Sequence, residues 1–352
     1  VQQSVVINLD KEKYEQNKKI LAARMSMELD EKIEHTVYRI RDWTNETSGA
    51  YISFSGGLGS RVLLDINRKY SFSSEKLPAL YVDTGLDHKG VKDIALKYAD
   101  YVVRSKIQFP NVIKKYGYPV ISKSQAMAIK KLTTQNLSPK YRNKLLYGDE
   151  RGTAGKLSNK WHYFLNAPFK ISHECCLVLK ERPAIKFEQE NECFPVTAEM
   201  VEESTNRKII YLQNGCNMWN LKRPKSTPMA FWTQQDLLKY VVKEKLDIAP
   251  EYGEIKQDNY GRYYTTKEQR TGCAFCLFGC HLEKQPNRIQ RLYNMDRKRY
   301  NYCVGGGEFN KDGIWQPNKE GLGLGYVMDY MGIEYRPTGT IKENKDGQLM
   351  IV

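Results

Sequence analysis

No stretch of the 352-residue chain approaches the roughly 20 consecutive apolar residues that a membrane-crossing helix needs, so a helical membrane protein is excluded. The opening segment, Val1 to Gln16, lacks the charged-then-apolar layout of a secretory signal, and the cytoplasm is the expected compartment. Eight cysteines in so long a chain are too few for a disulfide scaffold, and their clustering reads as ligation in a reducing compartment. No internal repeat is visible. Acidic residues are in deficit, 41 against 55 Lys+Arg, and the resulting net charge of +14 attracts nucleotides, nucleic acid or other polyanions at long range without choosing among them.

The cysteines that are present fall into two tight groups, Cys175-Cys176 and Cys273-Ala274-Phe275-Cys276. Soft thiolates in such sets select zinc or iron–sulfur clusters over hard cations. Adjacent cysteines cannot easily converge on one atom without backbone strain, so a cluster with several irons is expected and zinc is the alternative. Cys193 and Cys216 have no paired spacing and read as buried small hydrophobes. Cys303 is near enough in sequence to Cys276 to replace Cys175 as a ligand or to act as a nucleophile. His173 and His281 stand beside the two groups, where a histidine can hydrogen-bond a thiolate. Lys170 and Lys180 flank the first pair, and Arg288, Arg291, Arg297, Lys298 and Arg299 follow the second, where cations would offset the charge of a cluster or hold an anionic substrate.

Apolar periodicity divides the chain into an N-terminal helical segment (1–46), an α/β stretch (47–250) and a C-terminal region (251–352), rich in Gly, Tyr and charge, that carries the second cysteine pair. Short strand patterns at Ala50–Ser55, Ala79–Asp83 and Tyr101–Arg104 alternate with helical patterns, which predicts right-handed βαβ units and a parallel sheet. A further strand is expected at Phe194–Ala198, and Thr233 to Asp236 reads as the cap of a helix. Parallel sheets bind ligands beyond the carboxyl ends of their strands, the edge that Ser55 and Asp83 occupy in this pattern. Between the first strand and its helix lies Ser53-Phe54-Ser55-Gly56-Gly57-Leu58-Gly59-Ser60, whose glycines let a phosphate approach backbone N–H groups and whose serines add donors. It is not a Walker loop, which requires Gly-Lys-Ser/Thr.

These segments together, SFSGGLGSRVLLDI (53–66), YVDTGLDHKGVKDIA (81–95), NAPFKISHECCLVLKERPA (166–184), EESTNRK (202–208), GCNMWNLKRP (215–224), FWTQQDLLKYV (231–241) and TGCAFCLFGCHLEKQPNRIQRL (271–292), resemble the phosphoadenylylsulfate (PAPS) reductase-like branch of the PP-loop superfamily, prophage-type members included. The resemblance implies a doubly wound, mostly parallel α/β sheet of the adenine nucleotide alpha hydrolase-like kind. It implies a 4Fe-4S cluster on Cys175, Cys176, Cys273 and Cys276, and nucleotide contacts from Ser53, Ser55, Gly56, Gly57, Ser60, Asp83 and Arg207. Lys222 and Arg223 are further candidates for gripping phosphate or sulfate. Adenylylsulfate or phosphoadenylylsulfate is the implied substrate, with a thioredoxin-like dithiol as reductant, in an oxidoreductase or sulfur-transfer reaction.

Two departures qualify the match. ATP-cleaving relatives carry Lys-Asp where this chain has Leu58-Gly59, and neither residue can supply a point charge to phosphate or help hold magnesium. Reductases of the family also resemble one another in a tail cysteine that attacks sulfur, and no cysteine follows Cys303 here. Cys303, Cys280 or Cys216 would have to substitute, or the reaction differs. The rival expectation is a protein that binds tRNA or DNA, for sulfur modification or phage defence, through a basic insertion (123–160). That insertion holds Lys123, Lys130, Lys131, Lys140, Arg142, Lys144, Arg151, Lys156 and Lys160 against Asp149 and Glu150, with Tyr141, Tyr147 and Trp161 available to stack on bases. A degenerate relative that binds nucleotide without chemistry is the third.

Overall fold

The computed structural model describes residues 11–73, 76–150, 152, 155–339, 341–343 and 349–351; Arg151 and the opening residues 1–10 lie outside the described residues. In chain order the elements begin α1 (Lys11–Met25), α2 (Leu29–Glu46), β1 (Ala50–Phe54), α3 (Leu58–Tyr70), β2 (Ala79–Asp83), α4 (Lys89–Tyr98), β3 (Tyr101–Arg104), α5 (Phe109–Tyr116), β4 (Val120–Ile121), α6 (Lys123–Thr134) and α7 (Pro139–Tyr147). They continue α8 (Arg182–Asn191), β5 (Phe194–Val196), α9 (Thr205–Asn214), β6 (Asn217–Met218), β7 (Lys225–Ser226), α10 (Gln234–Glu244), β8 (Ile255–Gln257), β9 (Tyr263–Thr265) and β10 (Leu277–Phe278). The last are α11 (Arg288–Met295), α12 (Arg297–Val304), β11 (Glu308–Phe309), β12 (Trp315–Gln316), α13 (Leu324–Met331), β13 (Ile341–Glu343) and β14 (Leu349–Ile351).

Two compact units interleave along the sequence: Val1–Asp83, His88–Val103 and Ala184–Thr271 form the first, and Thr84–Asp87, Arg104–Pro183 and Gly272–Val352 the second. Each unit has its own apolar core.

The first unit is α/β. Its six-stranded sheet has the order β3-β2-β1-β5-β7-β6. β1 pairs in parallel with β2 and β5, β5 in parallel with β7, and only the β6–β7 pairing is described as antiparallel. Strand addition proceeds from β1 outward through β2 and β3, then resumes with β5 on the other side of β1. Hydrophobic burial explains the arrangement: Tyr51, Ile52 and Phe54 of β1 are enclosed, and α3 lays Val62, Leu63, Leu64 and Ile66 into the same core. From α2, Ile40 and Trp43 join it. The α10 cap forms as its residues dictate, with Thr233 and Asp236 exchanging side-chain hydrogen bonds with each other's backbone N–H. Asp236 also binds the buried Lys32 Nζ at 2.7 Å, and Trp232 Nε1 donates to Thr36 Oγ1 at 2.9 Å.

The second unit packs short helices and loops around Val120, Ile129, Leu277, Ile289, Leu292, Val327 and Met328. Its two-residue strands β4 and β10 pair in parallel. The C-terminal region, where the sequence shows only weak periodicity, contains among the described residues three α-helices, α11, α12 and α13, of eight residues each. Eight residues span about two turns, too few for a 3.6-residue repeat to stand out.

Candidate functional site

In the second unit, Cys175, Cys176, Cys273 and Cys276 all line one cavity. Leu86, Phe109, Pro119, Leu179 and Phe275 supply apolar walls, and Thr84 and Lys180 the remaining polar lining. Local structure presents the first pair just ahead of a π-helical turn, Leu177–Glu181, a widened coil frequent at functional sites. The second pair sits on a turn: Cys276 N donates to Cys273 O at 3.1 Å, and Ala274 N is held by Leu86 O at 2.8 Å. Cys276 leads directly into β10, whose partner β4 contains Ile121 at φ +64°. A β-branched residue in left-handed geometry is a true outlier, and such strain gathers near functional sites. Gly279 N closes on Ile121 O at 2.8 Å, which fixes this backbone beside the thiols.

The thiols act on one another. Cys175 Sγ donates to Cys176 Sγ across 4.0 Å, which lowers the Cys176 pKa and raises that of Cys175. Burial raises Cys273 to about 11 and also raises Cys276. Burial opposes the charge on Lys180, but Cys273, Asp87 and Cys176 outweigh it and hold the ammonium protonated. Lys180 thus places a cation in the cavity. Among the described residues no three His, Cys, Asp or Glu side chains are gathered closely enough for a single metal ion. Four cysteines are a donor set that either zinc or an iron–sulfur cluster can take.

The flanking candidates divide. Arg288 Nη1 donates to Cys276 O at 3.3 Å while its Nε bonds Glu283 at 2.6 Å, and Arg299 Nη1 donates to Asp87 O at 2.7 Å. Lys170, Arg297 and Lys298 are exposed. Nδ1 of both His173 and His281 is buried without a hydrogen-bond partner, and His281 lies edge-on to Trp161 at 5.1 Å. None of the three candidate nucleophiles faces solvent. Cys216, Cys280 and Cys303 are 4%, 1% and 0% exposed, and burial raises all three thiols, Cys280 to about 12. Cys175 lines the cavity and Cys303 is not among its lining residues.

In the first unit the glycine turn follows β1 at the point where strand addition reverses, the position at which open parallel sheets bind ligands. Gly56 has φ +75°, and a Cβ there would sit 2.2 Å from Val91 O, so glycine is obligatory. Gly57 then caps α3. The serines brace the turn from within: Ser60 Oγ donates to Gly57 O at 2.9 Å and accepts from Ser55 N at 3.2 Å, and Ser55 Oγ accepts from Gly57 N at 3.3 Å. Leu58 N, the first helical donor, is taken by Tyr252 OH at 3.1 Å, which lies 2.8 Å from Thr271 Oγ1. As second and third residues of α3, Gly59 and Ser60 have N–H groups without intrahelical acceptors, the arrangement that favours an anion at a helix N-terminus. Tyr252 and Thr271 carried no sequence signal; an isolated Tyr in an irregular stretch looks like any other.

Asp83 ends β2 with its carboxylate enclosed and 2.9 Å from Lys92 Nζ. Ser53 lies within β1. Arg207 pairs with Glu203 and lies 3.8 Å from Glu199, and burial lowers its pKa. Arg223 grips Glu188 with two donors at 2.8 and 2.6 Å, while Lys222 is exposed. Arg207 and Arg223 are thus engaged with carboxylates in this state.

No family model matches the sequence, and no curated protein matches it. Among solved structures the chain is similar to phosphoadenylyl-sulfate (PAPS) reductase from Candida auris in its phosphate complex. Sequence identity is 13%, the alignment covers 73% of this chain and 98% of that one, and the TM-score is 0.35. A likeness at that level carries no argument of its own, and the fold class rests on the sheet described above. No helix among the described residues is long and apolar enough to cross a membrane.

Proposed function

We propose that the chain is an iron–sulfur PAPS reductase-like protein. It binds an adenine sulfonucleotide such as adenylylsulfate or phosphoadenylylsulfate at the glycine turn of the first unit and carries out sulfur reduction or transfer. The observation that carries this reading is the convergence of Cys175, Cys176, Cys273 and Cys276 on one cavity with Lys180. A 4Fe-4S cluster held by these four cysteines would supply electrostatic and structural organisation of the second unit. The chain's own residues hold the thiolates, exclude water with Phe109, Leu179 and Phe275, and present Lys180 as counter-charge. The Gly59 and Ser60 amides would receive a phosphate, in the manner of helix N-termini generally. With Cys216, Cys280 and Cys303 buried, an external dithiol is the natural electron donor. Its first thiolate takes the sulfo group and expels the nucleotide phosphate; its second releases sulfite and closes the disulfide.

The test is anaerobic sulfite release from adenylylsulfate and phosphoadenylylsulfate with a dithiol present, beside calorimetric binding of adenosine monophosphate. Release from either nucleotide supports the reading. Absence of both release and binding overturns it.

A further inference from the structure

The chain's positive charge is not shared between its units. The first unit holds 28 Lys+Arg against 27 Asp+Glu, and the second 27 against 14, so nearly all of the net +14 belongs to the second. Within the second unit the excess concentrates in Arg104–Pro183, with 16 basic residues and four acidic ones. Three of those four carboxylates are already engaged: Glu174 with Lys130, Asp149 with Lys144 at 2.6 Å, and Glu181 with Lys123 at 4.0 Å.

A four-thiolate metal site is anionic and could call for cations, but among the described residues Lys180 is the only lysine or arginine lining the cavity. The others stand elsewhere. Lys114, Lys115, Lys123, Lys140, Lys160 and Lys170 are exposed. Concentrated exposed charge of one sign on one unit is the electrostatic footprint of a polyanion site.

The aromatic residues refine the class. Of the three offered by sequence for stacking, Trp161 is buried, Tyr141 is partly buried and accepts from Lys131 Nζ at 2.8 Å, and Tyr147 is 68% exposed. Tyr147 lies seven residues after Lys140 and three after Lys144 on α7, so the three share one helix face. A solvated ring beside ammonium groups suits an unstacked base and its phosphate, not the closed grooves of a duplex.

We propose that the second unit binds single-stranded nucleic acid through the α6–α7 segment and Lys160, with Lys140 and Lys160 contacting phosphates and Tyr147 stacking on a base. This stands on charge and exposure, independently of the sulfonucleotide reading.

The experiment is fluorescence anisotropy of the full chain with labelled 25-nucleotide single-stranded RNA, single-stranded DNA and duplex DNA, between 50 and 200 mM salt. For about four neutralised phosphates, single-strand affinity should fall on the order of 50-fold over that range. Lys140→Glu with Lys160→Glu should weaken binding more than 10-fold, and Tyr147→Ala roughly 5-fold or more. Lys18→Glu with Lys186→Glu, on the first unit, should leave it unchanged. Circular dichroism melts establish that every variant is folded. A weaker response to the first-unit control than to the second-unit variants supports the proposal whichever single strand binds better. No binding at 50 mM salt, tighter binding of duplex than of single strands, or equal weakening by both pairs of charge reversals overturns it.

Discussion

The two candidate sites are built in opposite ways. In the first, backbone does the work: a glycine turn between β1 and α3 is braced by Ser55, Ser60 and Tyr252, and charges cancel almost evenly. In the second, side chains do it: four thiols and Lys180 meet in an apolar cavity, within a unit of short elements and strong positive charge. A regular sheet can hold an anion with amide dipoles alone, because strand and helix ends already point them. Small irregular elements have no such geometry to offer, and there an inorganic core can serve as the organiser.

That contrast is breakable. The largest expected effect is on the second unit's stability: removing iron from reconstituted protein should raise amide hydrogen exchange strongly through residues 104–183 and 272–339, with little change in 50–70 and 194–241. Equal loosening of both sets would end the contrast. Next in size, Gly56→Ala places a methyl 2.2 Å from Val91 O at a φ of +75°. It should destabilise the protein by more than about 1 kcal/mol, read by chemical denaturation, and abolish adenosine monophosphate binding while leaving iron content unchanged.

Smaller is Tyr252→Phe, which strips the acceptor from Leu58 N. It should cost about 1 kcal/mol, and an added anion should recover part of the loss by occupying the vacated donor. Unaltered stability would show that the hydroxyl does not support the turn. The smallest effect is at Asp247. Burial opposes its ionisation, but hydrogen bonds from Lys97 at 2.7 Å, Tyr98 at 2.6 Å and Arg61 at 3.1 Å prevail and hold its pKa down at about 2. A depressed carboxylate contributes stability that is complete above its unfolded pKa and lost as pH falls through the folded one. Asp247→Asn should therefore lower stability at pH 7 slightly and flatten the acid limb between about pH 4 and pH 2; an unchanged limb would remove Asp247 from it.

Legibility in the sequence followed element length and periodicity. β1, β2, β3, β5 and the α10 cap were readable because apolar runs and capping residues act locally. Both cysteine pairs were readable as a chemical set, and the structure brings all four to one cavity. The helices α11, α12 and α13 were not, since two turns barely establish a repeat. Nor were Tyr252 and Thr271, which reach the glycine turn only through tertiary folding. Trp161 and Tyr147 looked alike as aromatics in a basic stretch; burial separates them, and burial is set by the fold.

The most direct measurement is iron and acid-labile sulfide per chain after anaerobic reconstitution, for the native protein and for Cys176→Ser and Cys273→Ser. The account predicts close to four of each in a brown native protein, with a sharp fall in both variants and no such fall in Cys303→Ser. Stoichiometric zinc in a colourless protein, or full iron retention by the two ligand variants, would contradict it.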